Sequence, residues 1–580
     1  MALGQRHFLL EFWPVSPHAP AVSLRIFIHL LWLPVALAVS LAEEAPDAPA
    51  VLPSVEDAIP ASIKAADTPR YQVFPGGIRM AISTHSPTVQ AHVNQGLNHL
   101  HGGWEFEAAR HFSIAMRQDP ECLMAHWGMA MALLNPNPET IAARIAATER
   151  LLHLVESDKG TDLERGYAYG LIKYLDEGPS GAAEAFRRVA EKFPREMQAA
   201  IFSSLFHRGG YDELGSPTTD QETAEKRLLS LMERHPDSTA PLNALLLIRA
   251  EAPDLSASLE LARKLCRMAP DYPPYYHLLG HYEWRTGHHR EAASAFSKAA
   301  TLFRNWMNSE KIDLADCPEW VRSECYRVVA LLSQGEDETA LAAATQLASL
   351  APPVNRPSSP GARALWWDAK TLPARIGMRL DTDASLTKAL QSLPPPETIR
   401  SIRDHTLAFW WIDGLRIAID GKLQLKQGNP DKARDVAQAL TLHGEAMTRS
   451  QNSATSAGER TPWLRSFRAL EVIASELRGD ISLAGPPERR ETAYNWFSSA
   501  SDRQLTEPML MPPMVLTPMA CRLGHFQLQA GRPVQAVEAF ERALARFPND
   551  PSTSRGLDKA RAAARANPES KPATQNSKPQ

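Results

Sequence analysis

The chain has 580 residues, 44% hydrophobic and 22% charged, close to globular averages, so most of it can bury apolar surface and bulk disorder is excluded. A net charge of −4, from 62 basic and 66 acidic residues, leaves no electrostatic footprint for nucleic acid, and no nucleic-acid partner is expected. The five cysteines, Cys122, Cys266, Cys317, Cys325 and Cys521, are too scattered for a disulfide framework and read as small core residues.

In chain order, Arg25 precedes an apolar run from Ile26 to Val39 that ends in small residues before Glu43-Glu44, the layout of a secretory signal over residues 1–42. Cleavage after Ala42 or Ser40 meets the small-x-small requirement; an uncleaved anchor over residues 26–42 is the rival, since the run is marginally long enough to span a bilayer. Export to the periplasm or beyond is expected either way. Residues 43–70 are dominated by Ala, Pro, Asp and Glu and read as a flexible linker, with the folded part starting near Tyr71. Residues 567–580 read as a loose tail.

Between these ends the chain repeats. A small residue, an aromatic or apolar residue four on, a small or apolar one three further and a proline five later recur at Ala108, Phe112, Ala115 and Pro120, at Ala182, Phe186, Val189 and Pro194, and at Ala536, Phe540, Ala543 and Pro548. Ala292, Phe296 and Ala299 form a copy without the proline. The first marker recurs at 34-residue intervals in Ala224, Ser258 and Ala292, and again from Ala108 to Ala142. Twelve positions upstream of the best markers stand Gly96, Gly170, Gly280 and Gly524, with Gly421 before Ala433; turn glycines follow at Gly103, Gly287, Gly335, Gly428 and Gly531. Two helices cross closely only where one residue at the crossing is small, and here the aromatic of the second helix would fill the space beside it. Neither helix of such a pair buries its apolar face alone, so the pairs must stack.

In period and in these small, aromatic and proline positions the sequence resembles the tetratricopeptide repeat. The resemblance implies an all-α fold, a right-handed α-solenoid superhelix of about ten or eleven stacked antiparallel helix pairs. Residues 71–304 are expected to form an N-terminal array, 305–515 a stretch of degenerate helical repeats that includes an amphipathic helix over Ala362–Met378, and 516–566 a C-terminal repeat. A closer resemblance, to a group of bacterial exported tetratricopeptide-repeat proteins, rests on Asn94-Gln95-Gly96-Leu97, Asp119-Pro120-Glu121-Cys122 through Ala130, His277-Leu278-Leu279-Gly280-His281 with Arg285-Thr286-Gly287, and Gly531-Arg532-Pro533. It departs at Pro241–Glu251, where Asn243 and leucines replace a histidine-bearing helix. It implies architecture and carries no activity.

Within that resemblance the fifth, ninth, twelfth and thirteenth positions of a repeat's first helix line the concave surface. In the helix Pro274–Arg285 these are His277, His281, Trp284 and Arg285, expected to form a polar and aromatic strip that contacts a protein or peptide partner of the cell envelope. His277 and His281 are four apart and share a helix face, so a metal-dependent protein, such as a hydrolase, is the alternative. Zinc needs a further ligand that the local sequence does not supply, and no metal or other cofactor is assigned.

Cys122 and His126 form a second four-apart pair, read as core packing over a thiol–imidazole nucleophile. Of the neighbours Trp366-Trp367 and Trp410-Trp411, one each is expected in the core and one near a surface, because helix neighbours point about 100° apart. A phosphate loop, a dinucleotide fingerprint, a Gly-x-Ser-x-Gly elbow, His-Glu-x-x-His and paired Cys-x-x-Cys are all missing. The expectation is a non-catalytic interaction scaffold.

Overall fold

The structure is a computed structural model that describes residues 51–135, 137–212, 215–454, 457–504, 508–509 and 511–566. The signal segment 1–42, the first part of the linker and the tail 567–580 lie outside the described residues. The fold is all-α, built from helices in sequential antiparallel pairs. The only β structure among the described residues is an isolated bridge between Tyr211 and Pro217. None of the described helices is long and apolar enough to cross a membrane.

The chain divides into two compact units. Unit 1 comprises residues 1–252, 260–275 and 305–312; unit 2 comprises 253–259, 276–304 and 313–580. Residues 276–304, read from sequence as the end of an N-terminal array over 71–304, fall in unit 2.

The helices that begin unit 1 are α1 (Ala61–Ala65), α2 (Pro87–His101), α3 (Glu105–Gln118), α4 (Leu123–Ala132), α5 (Ile141–Glu156), α6 (Asp162–Lys192), α7 (Gln198–His207), α8 (Thr219–Arg234) and α9 (Thr239–Arg249). Local chemistry starts and stops them. Ser86 accepts a hydrogen bond from Val89 N ahead of Pro87, and Thr161 and Glu164 form a reciprocal capping box. Gly103, at φ +74°, turns the chain between α2 and α3. Within α6, Gly178 at φ +75° followed by Pro179 breaks the helix into two halves that act as one pair.

Residues 51–70 are not the tether that their composition suggests. The stretch folds onto the unit: α1 forms, and Ala58, Ile59 and Ile63 are buried in the same core as Val89, Phe112 and Trp127. Composition averages over the acidic and proline residues and misses the three apolar side chains that anchor the segment.

Helices α10 (Ser256–Met268), α11 (Pro273–Arg285) and α12 (His289–Glu310) come next, and unit 2 continues through α13 (Pro318–Ser333), α14 (Asp337–Ala348), α15 (Pro360–Ala364), α16 (Leu372–Leu380), α17 (Asp383–Ser392), α18 (Pro396–Ile402), α19 (Ala408–Lys426), α20 (Pro430–Ala454), α21 (Arg460–Ala484), α22 (Pro487–Arg490), α23 (Thr492–Arg503), α24 (Met519–Gln529), α25 (Pro533–Arg546) and α26 (Pro551–Ala566). The helix expected over Ala362–Met378 is interrupted: a π turn at Leu365–Ala369 separates α15 from α16, and Pro373 sits in the first turn of α16. The π turn is buried throughout, so Trp366 and Trp367 both lie in the core, contrary to the expectation that one would approach a surface. Trp411 is buried and Trp410 only partly so, as expected of that pair.

The crossing residues are where the period placed them. A β-carbon added at Gly96 would sit 2.7 Å from the Phe112 ring, at Gly170 2.6 Å from Phe186, at Gly280 2.7 Å from Phe296 and at Gly524 2.8 Å from Phe540. Each glycine lets the aromatic of the next helix close onto backbone, the packing that makes two helices one unit. Unit 2 repeats the device at Gly479 against Phe497 (2.5 Å), a pair whose wider spacing hid it from the repeat pattern. Gly421 faces Leu477 in place of an aromatic from its own pair.

Candidate functional site

The four residues expected to line an open groove are all buried: His277 6%, His281 0%, Trp284 5% and Arg285 9% exposed. In unit 2 a non-helical, proline- and methionine-rich segment that includes Pro508, Met509, Met511, Pro513, Met514, Val515 and Leu516 lies against His277 and shares a cleft with Trp284 and Arg285. His277 Nε2 donates to Met509 O at 2.9 Å. The Tyr326 hydroxyl donates to Met511 O at 2.8 Å and also lies against Pro508 O. Arg375 donates to Pro513 O and Arg379 to Leu516 O, each at 2.5 Å. Main-chain carbonyls of one segment are thus gripped by side chains of α11, α13 and α16. Trp284 donates to Ser333 Oγ at 3.0 Å, and with Arg285 it borders a cleft shared with Arg379, Phe547 and Pro548.

This arrangement engages one ring nitrogen of His277. A carbonyl oxygen only accepts, so Nε2 must carry the ring proton. Nδ1 faces Ser323 Oγ at 2.9 Å, a hydroxyl that itself donates to Glu319 O at 2.7 Å. Burial depresses its pKa to about 4 against the raising effect of the Met509 bond, so the ring is neutral at pH 7.

Cys122 and His126 are core residues, as expected. Burial pushes the thiol up to about 12, and His126 Nε2 donates to Pro120 O at 2.9 Å. No activated nucleophile results.

The chemistry that sequence reasoning passed over is in unit 1. His92 and His99 lie seven apart on one face of α2; Glu107 and His111 lie four apart on one face of α3. The helix crossing at Gly96 and Phe112 brings the two faces together. One ligand atom each from His99, Glu107 and His111 lie within 4.8 Å of one another, all three residues being buried. The two spacings were the legible signal, but it becomes informative only when the antiparallel pair is closed.

The cluster is enclosed by the end of the linker and the residues just after it. Arg110 donates to Glu107 Oε2 at 2.6 Å, to Glu310 Oε2 at 3.1 Å and to Asp67 O at 2.7 Å. The Tyr71 ring lies 5.0 Å from His92 and 5.9 Å from His111, and Phe74 meets His99 edge-on at 5.0 Å. Burial lowers the pKa of His99 to about 3 and that of His111 to about 2; the nearby His99, His92 and Arg110 add to the effect at His111, and the Arg70 main chain opposes it. Burial also raises that of Glu107, against the lowering effect of Arg110.

No protein-family model matches the chain, and no curated protein is a significant relative. Solved structures match over most of their length. The TPR domain of P58(IPK) is 13% identical, covering 83% of this chain and 99% of that one, with a TM-score of 0.19. Yeast Tom70 is 10% identical over 83% of this chain and 89% of its own, with a TM-score of 0.27. A chain of the APC/C hetero-tetramer Cut9-Hcn1 is 12% identical over 81% of this chain and 90% of its own, also at 0.27. Likenesses this distant say nothing of activity or partner. The glycine–aromatic crossings, the turn glycines at positive φ and the sequential antiparallel pairs make the chain a tetratricopeptide-like helical-repeat protein.

Proposed function

We propose that this chain is a non-catalytic binding scaffold that holds a segment of another protein against its stacked helix pairs. The observation that supports this reading is the hold on residues 508–516: side chains of three helices bind main-chain carbonyls of a non-helical segment while its methionines fill the apolar surface below. Capture through main-chain groups, with pockets for alternate side chains, is a general mode of peptide recognition. Helix pairs in series supply many such faces, and specificity resides in the side chains they carry.

The test is native purification of the full chain with its interactors, followed by reconstitution of each recovered protein with the purified chain. A saturable one-to-one complex whose cross-links map to helix faces supports the reading. Recovery of no protein that rebinds saturably sinks it.

The working compartment we propose is the cell envelope or beyond, on the strength of the apolar run Ile26–Val39 followed by Glu43-Glu44. Finding the protein only in the cytosol with Met1 retained removes that part and leaves the scaffold reading intact.

A further inference from the structure

We propose that His99, Glu107 and His111 form a binding site for a divalent transition-metal ion, Zn²⁺ by preference, set between the first two helices of the repeat array and roofed by Tyr71 and Phe74. The site is independent of the scaffold reading. It lies wholly in unit 1 and uses none of the residues that grip the 508–516 segment.

Neighbouring groups fix where the His99 ring proton is. His99 Nδ1 faces the Tyr272 hydroxyl at 3.4 Å, and that hydroxyl faces His99 O at the same distance. The carbonyl can only accept, so the hydroxyl donates to it and receives from Nδ1–H. His99 Nε2 is then a bare lone pair, buried without a hydrogen-bond partner. His111 Nδ1 lies 3.0 Å from His92 Nδ1, an arrangement in which His111 donates and His92 accepts once His111 Nε2 serves as a ligand. His111 Nε2 is likewise buried and unpartnered. A bare lone pair on His99 and the unpartnered Nε2 of His111, buried beside a carboxylate, cost free energy that a cation joining the three would remove.

The surroundings have the organisation of a metal centre. A ligating histidine generally engages its second nitrogen with a neighbouring group, which sets the tautomer and aims the first. His92 does this for His111 and Tyr272 for His99. Glu107 is positioned by Arg110, which is itself neutralised by Glu310 and tied to Asp67 O. Two imidazoles and one carboxylate suit Zn²⁺ and leave a coordination position open for water or a ligand. The exposed Tyr71 ring above His92 and His111 is the side from which an ion enters.

The experiment uses untagged full-length chain, stripped with a chelator and titrated with Zn²⁺ against a competing indicator, and separately with Co²⁺ to read the visible ligand-field bands. One equivalent of Zn²⁺ is expected, with a rise in the unfolding temperature of the unit that binds it. His99→Phe keeps an aromatic against Phe74 and Trp104 and should lower the stoichiometry below about a tenth of an equivalent while the far-ultraviolet dichroism is retained. Binding of less than a tenth of an equivalent by the wild-type chain overturns the proposal, as does full binding by the His99→Phe, His111→Phe double variant. Should those variants fail to fold, X-ray absorption of the Zn²⁺-loaded wild type decides: scattering from two imidazoles supports the site, and its absence or a sulfur shell refutes it.

Discussion

His277 donates its Nε2 hydrogen bond to the carbonyl of Met509, 2.9 Å away in space and 232 positions along the chain. That bond, with those of Tyr326, Arg375 and Arg379, ties the 508–516 segment to α11, α13 and α16. Replacing His277 by Ala removes the partner of a buried carbonyl and leaves a void, at a cost of about 2–4 kcal/mol. Denaturant unfolding should record that loss. Limited proteolysis should show faster cleavage near Met509, while Tyr326→Phe, which deletes only the hydroxyl, should cost about 1–3 kcal/mol and expose the same segment more weakly.

Gly280 and Phe296 test the crossing device. A β-carbon at Gly280 would meet Phe296 Cδ1 at 2.7 Å, so Gly280→Ala should destabilise unit 2 by about 1–3 kcal/mol through overpacking. Phe296→Ala should cost about 3–5 kcal/mol through the cavity it leaves. In the double variant the clash has no object, so the two costs should fall short of additive; strict additivity by calorimetry would show that the two residues do not meet.

Acid should unfold the chain well above the carboxylate range. Burial holds His126 and His277 at a pKa of about 4, against an unfolded value near 6.5. Both rings are neutral in the fold, so between those values the unfolded chain binds more protons and stability falls as pH drops. The stability is complete above pH ~6.5, and each ring removes up to about 3 kcal/mol by pH ~4, where the loss stops. Thermal unfolding from pH 7 to 4 should trace this fall. His277→Gln should flatten the slope if it folds, and a profile flat down to pH 5 would contradict the neutral-ring assignment.

Lys422 is 2% exposed and lies 3.3 Å from Glu476, 3.4 Å from Asp480 and 3.6 Å from Asp381. Burial alone would lower its pKa, but the three carboxylates outweigh it and hold the ammonium charged. Lys422→Met keeps the volume and leaves Glu476 and Asp480 to Arg522 and Asp381 to Lys426, at a cost of about 3–5 kcal/mol. The loss should hold at high salt, because buried pairs are screened far less than surface ones.

The five cysteines are buried and form no disulfide, and burial pushes the Cys122 thiol up to about 12. Native protein should therefore resist a thiol reagent at pH 8, and denaturant should release all five. Rapid native labelling at Cys122 would mean that α4 opens far more readily than its packing implies.

The helical repeat was legible in the residues themselves. Gly96, Gly170, Gly280 and Gly524 precede Phe112, Phe186, Phe296 and Phe540 by one spacing, and Gly103, Gly287, Gly335, Gly428 and Gly531 all take positive φ. Steric contact at a crossing and backbone freedom at a turn are local demands, written within one helix pair. The coverage of the His277 face was not local: periodicity marks a helix face as one to be covered but does not name its cover, and here a segment more than two hundred residues away supplies it. The same holds for Ala58, Ile59 and Ile63, whose composition reads as tether until α2 and α3 give them a surface. His99 and His111 likewise became a site only when two antiparallel helices brought their faces together. Sequence alone determined the repeat and its turns; tertiary packing decided which buried face remained polar, which was covered and where lone pairs were left to converge.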